Sequence, residues 1–387
     1  TIILTINGSG SEADPYIINS VDDLISIRDL VNDSTTTKVF GNSYYQLTAD
    51  LDFSGMNWTS IGTESCPFNG IFNGNYYTIS GINTSVFGYC DQASIENIVA
   101  YGNISSASSN VGGIANRIGN GRIENCAFYG NVSGSDNVGG IVGNMENGGS
   151  LIRCYQIGTI SGGNAVGGIA GQTTNNAIFS FCYHAGGNVT GTGKIGGIAG
   201  LQIGTGKYTD CYYLNSNCSY GVSNGTNAGA VAVNATVLKN LTDTLGTPFT
   251  INPDSSVNNG YPVFSWEITE YEFKGDGTSS SPYQIGTAED LQHFATFVND
   301  PYMNAKYGHA YYIQTADIDM SRVIWTSIGT EDNPFSGNFN GGYRSVTGLS
   351  NDASSTYGGL FGYCDDVSVK NLIVYGNITA NGSTGGI

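Results

Sequence analysis

Positive charge is scarce in this chain. Its 387 residues hold 13 lysines and arginines against 31 aspartates and glutamates, a formal net charge of −18. No basic stripe gathers that could displace counterions from nucleic acid or hold an anionic membrane surface, so neither is expected as a partner. Histidine (3), methionine (4) and proline (8) are few. No apolar run approaches the ~20 residues that cross a bilayer, and membrane insertion is not expected. An initiator methionine and a signal peptide are also missing, which reads as a mature piece of something larger.

Glycine (57), asparagine (41) and tyrosine (25) fill the space. That much Asn and Gly disfavours a helical protein, because both residues prefer turns and corners. The 40% of hydrophobic residues disfavours disorder. A β-rich protein with an uncharged polar surface remains.

Its organisation is repetitive. VGGIAG stands at 166–171, with variants at 111–116, 138–143 and 195–200, the starts lying 27, 28 and 29 residues apart. One such stretch, GRIENCAFYGNVSGSDNVGGIVGN (121–144), has apolar bursts at Ile123, Val132, Val138 and Ile141 separated by Gly/Asn/Ser corners. Short strands joined by tight turns have this pattern, and equivalent strands would stack about 4.8 Å apart. The expected fold is mainly β: a parallel β-solenoid (β-helix) of about 28-residue coils, with paired glycines where coils approach closely. A phosphate-binding reading of the glycines fails. The nearest candidate, GTGKIGG (191–197), has Ile where Ser or Thr should follow the lysine.

A longer repeat encloses the short one. PYIINSVDDL (15–24) returns as PYQIGTAEDL (282–291), and ADLDFSGMNWTSIGTE (49–64) as ADIDMSRVIWTSIGTE (316–331), an offset of 267. Ser20–Asp23 and Thr287–Asp290 read as capping boxes. They open a short amphipathic helix in each large repeat, with Leu24, Ile27 and Val31, or Leu291, Phe294 and Val298, on its apolar face. The expected divisions are 1–7, the end of a preceding unit; 8–94, a helix-plus-strand lead-in; 95–213, the coils; 214–270, a closing segment with Trp266 plugging one end; and 275–387, a second, truncated repeat. The chain so read is a window on a longer tandem array.

Taken in order, GGLFGYC (358–364), SVFGYC (85–90), the VGGIAG copies, PFNGIFNG (67–74) with PFSGNFNG (334–341), and NGYPVFSW (259–266) resemble the GLUG-motif repeats of secreted and surface-anchored bacterial proteins. The resemblance covers nearly the whole chain. It implies a parallel β-solenoid in large adhesin-like surface proteins, and in the non-catalytic regions of some immunoglobulin-A peptidases, with structural motif residues and no reaction.

Four candidate chemistries remain. Cys126, Cys154, Cys182 and Cys211 recur at 28, 28 and 29 residues, one per coil, and read as an interior column of reduced thiols. Cys90 and Cys364, repeat equivalents, are also expected in the core; Cys211–Cys218 is the candidate local disulfide. Asp50 with Asp52, and Asp317 with Asp319, put paired carboxylates on one side of a strand, weak calcium ligands or turn caps. No other cofactor is implied. His184, His293 and His309 sit in no recognisable catalytic motif and read as packing or surface residues. Asn103, Asn131, Asn188 and Asn377 share a G-N-[VI]-[ST] position, open to glycosylation or serving corners.

The reading is therefore a non-enzymatic extracellular or cell-surface repeat segment: a stalk, adhesin or fibre region. Its partners would be flanking repeats or copies of itself, or a host or cell-surface glycan or protein. Tyr129, Tyr155, Tyr183 and Tyr212 leave a ligand-binding aromatic stripe open. The alternative is a polysaccharide-active β-helix enzyme, a lyase or glycoside hydrolase, built from scattered acids such as Glu124 and Glu146.

Overall fold

The computed structural model describes residues 6–223, 229–250, 258–267, 273–301, 303–321, 323, 325–350, 356–378 and 381–386. It is a parallel β-solenoid in two compact units, residues 1–263 and 264–387.

In the first unit one long sheet stacks nine strands in chain order. They are Tyr16–Ile18, Tyr44–Leu47, Ile71–Asn73, Ser94–Gly102, Arg122–Tyr129, Tyr155–Ser161, Tyr183–Thr190, Cys211–Leu214 and Ala230–Val233. A second sheet stacks Phe87–Asp91, Ala115–Gly119, Val142–Glu146, Ala170–Thr173 and Ala199–Gln202. A third stacks Val111–Gly112, Val138–Gly139, Val166–Gly167 and Ile195–Gly196. Each VGGIAG phrase spans two faces. Val166-Gly167 lies in the third sheet, Ile169 turns into the core, and Ala170 opens the next strand in the second.

Glycine is obligatory at that corner. A Cβ on Gly168 would stand 2.1 Å from the carbonyl oxygen of Gly197 and 2.6 Å from the His184 ring. Asparagine serves the other corners. Asn97, Asn125, Asn110, Asn137, Asn120, Asn147 and Asn176 all hold positive φ, a region Asn enters with little penalty. Several form ladders: the Asn125 amide donates to Asn97 Oδ1 at 3.0 Å, and that of Asn137 to Asn110 Oδ1 at 2.8 Å.

The strands of the helix-plus-strand segment 8–94 join the same long sheet as the coils. Tyr16 pairs with Tyr45, Tyr44 with Ile71, and Ile71 with Ser94, so its strands are the first levels of the same stack. The helix Val21–Asn32 is an excursion within a coil, and it buries Leu24, Ile27 and Val31. Ser20 caps it by accepting from Asp23 N, while Asp23 reaches back to Asn19 N instead of Ser20 N. Helix Ala288–Asn299 has the complete capping box between Thr287 and Asp290. At its C-terminal end each helix is tied to the coil beneath it. Asn32 accepts from Gly62 N (2.7 Å) and donates to Ser60 O (3.0 Å); Asn299 does the same with Gly329 N (2.6 Å) and Ser327 O (2.9 Å).

The closing segment differs from expectation. Ala230–Val233 adds another level to the long sheet, followed by a helix, Ala235–Lys239, capped by Asn234. Trp266, expected to plug the first unit, falls in the second, its ring stacked on Phe264 at 4.6 Å. In that second unit Tyr283–Ile285, Tyr311–Gln314, Asn338–Ser350 and Ser368–Asn377 stack in parallel, with Tyr283 opposite Tyr312 as Tyr16 is opposite Tyr45.

Candidate functional site

Two side-chain columns run inside the coils. Cys126, Cys154, Cys182 and Cys211 are fully buried free thiols at successive levels. Each donates to the carbonyl two residues before it, Cys154 to Ile152 O at 3.4 Å and Cys182 to Ser180 O at 3.4 Å. Burial pushes the Cys126, Cys182 and Cys211 thiols up from their ordinary range, so they are poor nucleophiles. Cys211 and Cys218 are not joined: Cys218 donates to Tyr220 O at 3.3 Å. Cys90 is buried, but Cys364, expected in the core with it, is exposed. Strand Ala115–Gly119 covers Cys90, placing Ile118 opposite it, and the described residues put no such strand over Cys364.

The second column is Phe128, Gln156, His184 and Tyr213, two residues after each cysteine. It contains a buried polar pair that the sequence did not signal. Gln156 Oε1 lies 2.7 Å from His184 Nδ1, Gln156 Nε2 donates to Gly130 O at 2.8 Å, and His184 Nε2 is 3.0 Å from Gly187 O. Burial pushes the His184 imidazole down to about 4, opposed by the Gly187 carbonyl.

Outside, the tyrosines divide. Tyr155 and Tyr183 stack face to face at 4.9 Å, and Phe249 packs on both at 5.9 Å. The Tyr183 hydroxyl donates to Pro262 O. The segment after the coils thus folds back and buries these two rings, so they do not form an open stripe. Tyr212 is nearly buried and donates to Asp210. Tyr129 stacks on the partly exposed Tyr101 at 4.9 Å.

Ionisable side chains tie coil to coil. Arg117 bonds Glu64 and, at 3.1 Å, Glu146, while lying 4.7 Å over the Tyr89 ring. Glu124 takes Arg122 from its own strand and Arg153 from the next coil at 2.8 Å. The aspartates act likewise. Asp50 accepts from Thr78 N (2.7 Å) and Thr78 Oγ1 (2.9 Å), and Asp317 from Ser345 N (2.8 Å) and Ser345 Oγ (3.0 Å). Asp52 and Asp319 each close a turn by accepting at 2.9 Å from Ser54 N and Ser321 N. Hydrogen bonds from Ser345 to Asp317 and from Ser54 to Asp52 hold both carboxyls below their usual range. Among the described residues, no group of three or more His, Cys, Asp or Glu could hold a metal ion.

Asn103, Asn131, Asn188 and Asn377 are exposed. The first two form a ladder, with Asn103 Oδ1 accepting from both the backbone and the side-chain amide of Asn131 at 3.2 Å. His293 packs against Phe297, and His309 is exposed.

The class these features define is a parallel β-solenoid with a side-chain-filled interior. No family model matches the sequence. A curated protein of Evansella cellulosilytica named "Putative Gly-rich membrane protein" is 33% identical over 118 residues, covering 28% of this chain. The match spans 13% of that relative's length. Among solved structures, a "putative immunoglobulin A1 protease" from Bacteroides ovatus superposes with a TM-score of 0.54 at 23% identity, over 67% of this chain and 94% of its own. At that identity the likeness is one of fold. Among the described residues no helix is long and apolar enough to cross a membrane.

Proposed function

We propose that the chain is a non-enzymatic structural and adhesive repeat segment of an extracellular or cell-surface bacterial protein, of the kind that GLUG-type repeats build. One observation carries the reading: charged and polar side chains are spent on ties between adjacent coils. Arg117–Glu146, Arg153–Glu124, Asp50–Thr78 and Asp317–Ser345 each join positions 28 or 29 residues apart. A fold so built resists being peeled apart level by level, as a stalk must. The name of the Evansella relative, a Gly-rich membrane protein, fits a surface location. The name of the Bacteroides structure concerns a protease; in this chain the shared part is read as scaffold.

Incubation of the protein with a panel of polysaccharides, with and without calcium, tests the reading by following retention and released sugar ends together. New sugar ends would sink it in favour of the glycan-cleaving alternative. Retention without release supports an adhesin, and the absence of both retention and release supports a plain stalk.

A further inference from the structure

The two large repeats share a scaffold but not a surface. In the second unit a groove of about 220 Å³ opens on the outer face of three stacked strands. Its floor has two short columns set by register: Tyr311, Asn338 and Ser368 in one, and Ile313, Asn340 and Lys370 in the other. Between them Tyr312 and Phe339 point inward and are buried, so the floor is firmly anchored. Tyr311 is 40% exposed and offers a ring with a hydroxyl. Two carboxamides, a serine hydroxyl and an exposed amine surround it, and the lining contains no carboxylate. In a chain with 31 acids to 13 bases, a groove with one base and no acid is a local reversal of charge.

The first unit supplies the comparison. The same register aligns Tyr44, Ile71 and Ser94, and beside them Gln46, Asn73 and Glu96. The tyrosine, one asparagine and the serine recur. Asn338 replaces Ile71, Ile313 replaces Gln46, and Lys370 replaces Glu96. The coil needs none of these exchanges, because both versions fold with the same pairing. They alter what the surface can hold.

We propose that this groove binds a carboxylated saccharide of the uronic-acid class. A sugar ring lies on Tyr311, its hydroxyls reach Asn338, Asn340 and Ser368, and its carboxylate meets Lys370. Aromatic rings and amides suit the two faces of a pyranose, and an amine opposite a carboxylate forms a charge-assisted hydrogen bond. The groove is smaller than the range of about 300–1,000 Å³ typical of drug-sized ligands, so it holds one residue of a glycan that continues along the open surface. This rests on the adhesive reading above and gives it a ligand class.

The test is titration of the whole chain with an oligogalacturonate, a neutral oligosaccharide of equal length and a poly-glutamate peptide, at low and high salt. The oligogalacturonate is expected to bind and to weaken with salt. Tyr311→Ala and Lys370→Glu should each lower its affinity about ten-fold or more, with melting temperatures unchanged because both side chains are exposed. Oligogalacturonate binding untouched by either variant would overturn the groove and leave the adhesive reading intact. So would binding of the neutral sugar in preference to the acidic one. Preference for poly-glutamate would overturn the saccharide and make the partner an acidic protein. If nothing binds, the groove falls, and retention on the wider polysaccharide panel still decides between adhesin and stalk.

Discussion

The Asn125 side-chain amide donates to Asn97 Oδ1 at 3.0 Å across a coil boundary, and both residues hold left-handed backbone at φ 50° and 58°. The next residue up this corner is Arg153, also left-handed at φ 51°, and there the ladder stops. Asn125 Oδ1 is left buried with no partner among the described residues. Arg153→Asn should restore the missing donor and relax the backbone, each worth about 1 kcal/mol. Against this stand the part-exposed pair with Glu124 and the cation over Phe181, about 0.5 kcal/mol each. A net gain of about 1 kcal/mol is expected in denaturant unfolding. Asn125→Ala should lose about 2 kcal/mol by the same reasoning.

Gly168 gives a test of opposite sign. An added methyl would collide with the Gly197 carbonyl, which is backbone and cannot turn aside. Gly168→Ala should cost about 3 kcal/mol or more, the range of overpacked cores. Gly55, at φ +79° with nothing within 4 Å of the new carbon, separates backbone strain from collision. Gly55→Ala should cost only about 1–2 kcal/mol.

The thiols should divide by burial. Cys66, Cys90, Cys126, Cys154, Cys182 and Cys211 are buried, Cys218 is half-buried and Cys364 exposed. At neutral pH a small disulfide reagent should titrate Cys364 first and Cys218 next in the native protein. The other six should react only after unfolding. Rapid native reaction of any of the four column cysteines would contradict the packed interior.

Much of this fold was legible because coil spacing and helix periodicity are local patterns. The VGGI phrases, the cysteine column and both helix faces fall where their spacing places them. That the long sheet runs on through residue 94 was not legible, because the helix Val21–Asn32 interrupts a coil. Tyr16 and Tyr45 are still 29 residues apart, but no glycine phrase marks that level. The covering of Tyr155 and Tyr183 could not be read either, since Phe249 and Pro262 lie far along the chain and reach them only by folding back. Arg117, which joins Glu64 and Glu146 from 53 and 29 residues away, was hidden likewise. The Gln156–His184 pair was missed for a different reason: interior positions otherwise filled by Phe128 and Tyr213 gave no cue for a polar pair.

That pair contributes to the acid behaviour of the solenoid. Fully buried, His184 titrates near 4 when folded, against 6.5 for a free imidazole. Between those values the unfolded chain takes up a proton that the folded ring refuses. The His184 contribution to stability should therefore fall as pH drops from about 6.5 to about 4, and that loss should level off below. The full depression corresponds to about 3 kcal/mol, and the acceptors Gln156 Oε1 and Gly187 O, which favour a second ring proton, oppose it. His184→Phe places at this level the side chain that Phe128 carries two coils earlier. Native carboxylates give both proteins some acid sensitivity, so the informative quantity is the difference in unfolding free energy between wild type and variant. It should change in the variant's favour from pH 7 to pH 4.5. A difference that stays constant across that range would mean that His184 has the same proton affinity folded and unfolded, and that its acceptors offset its burial.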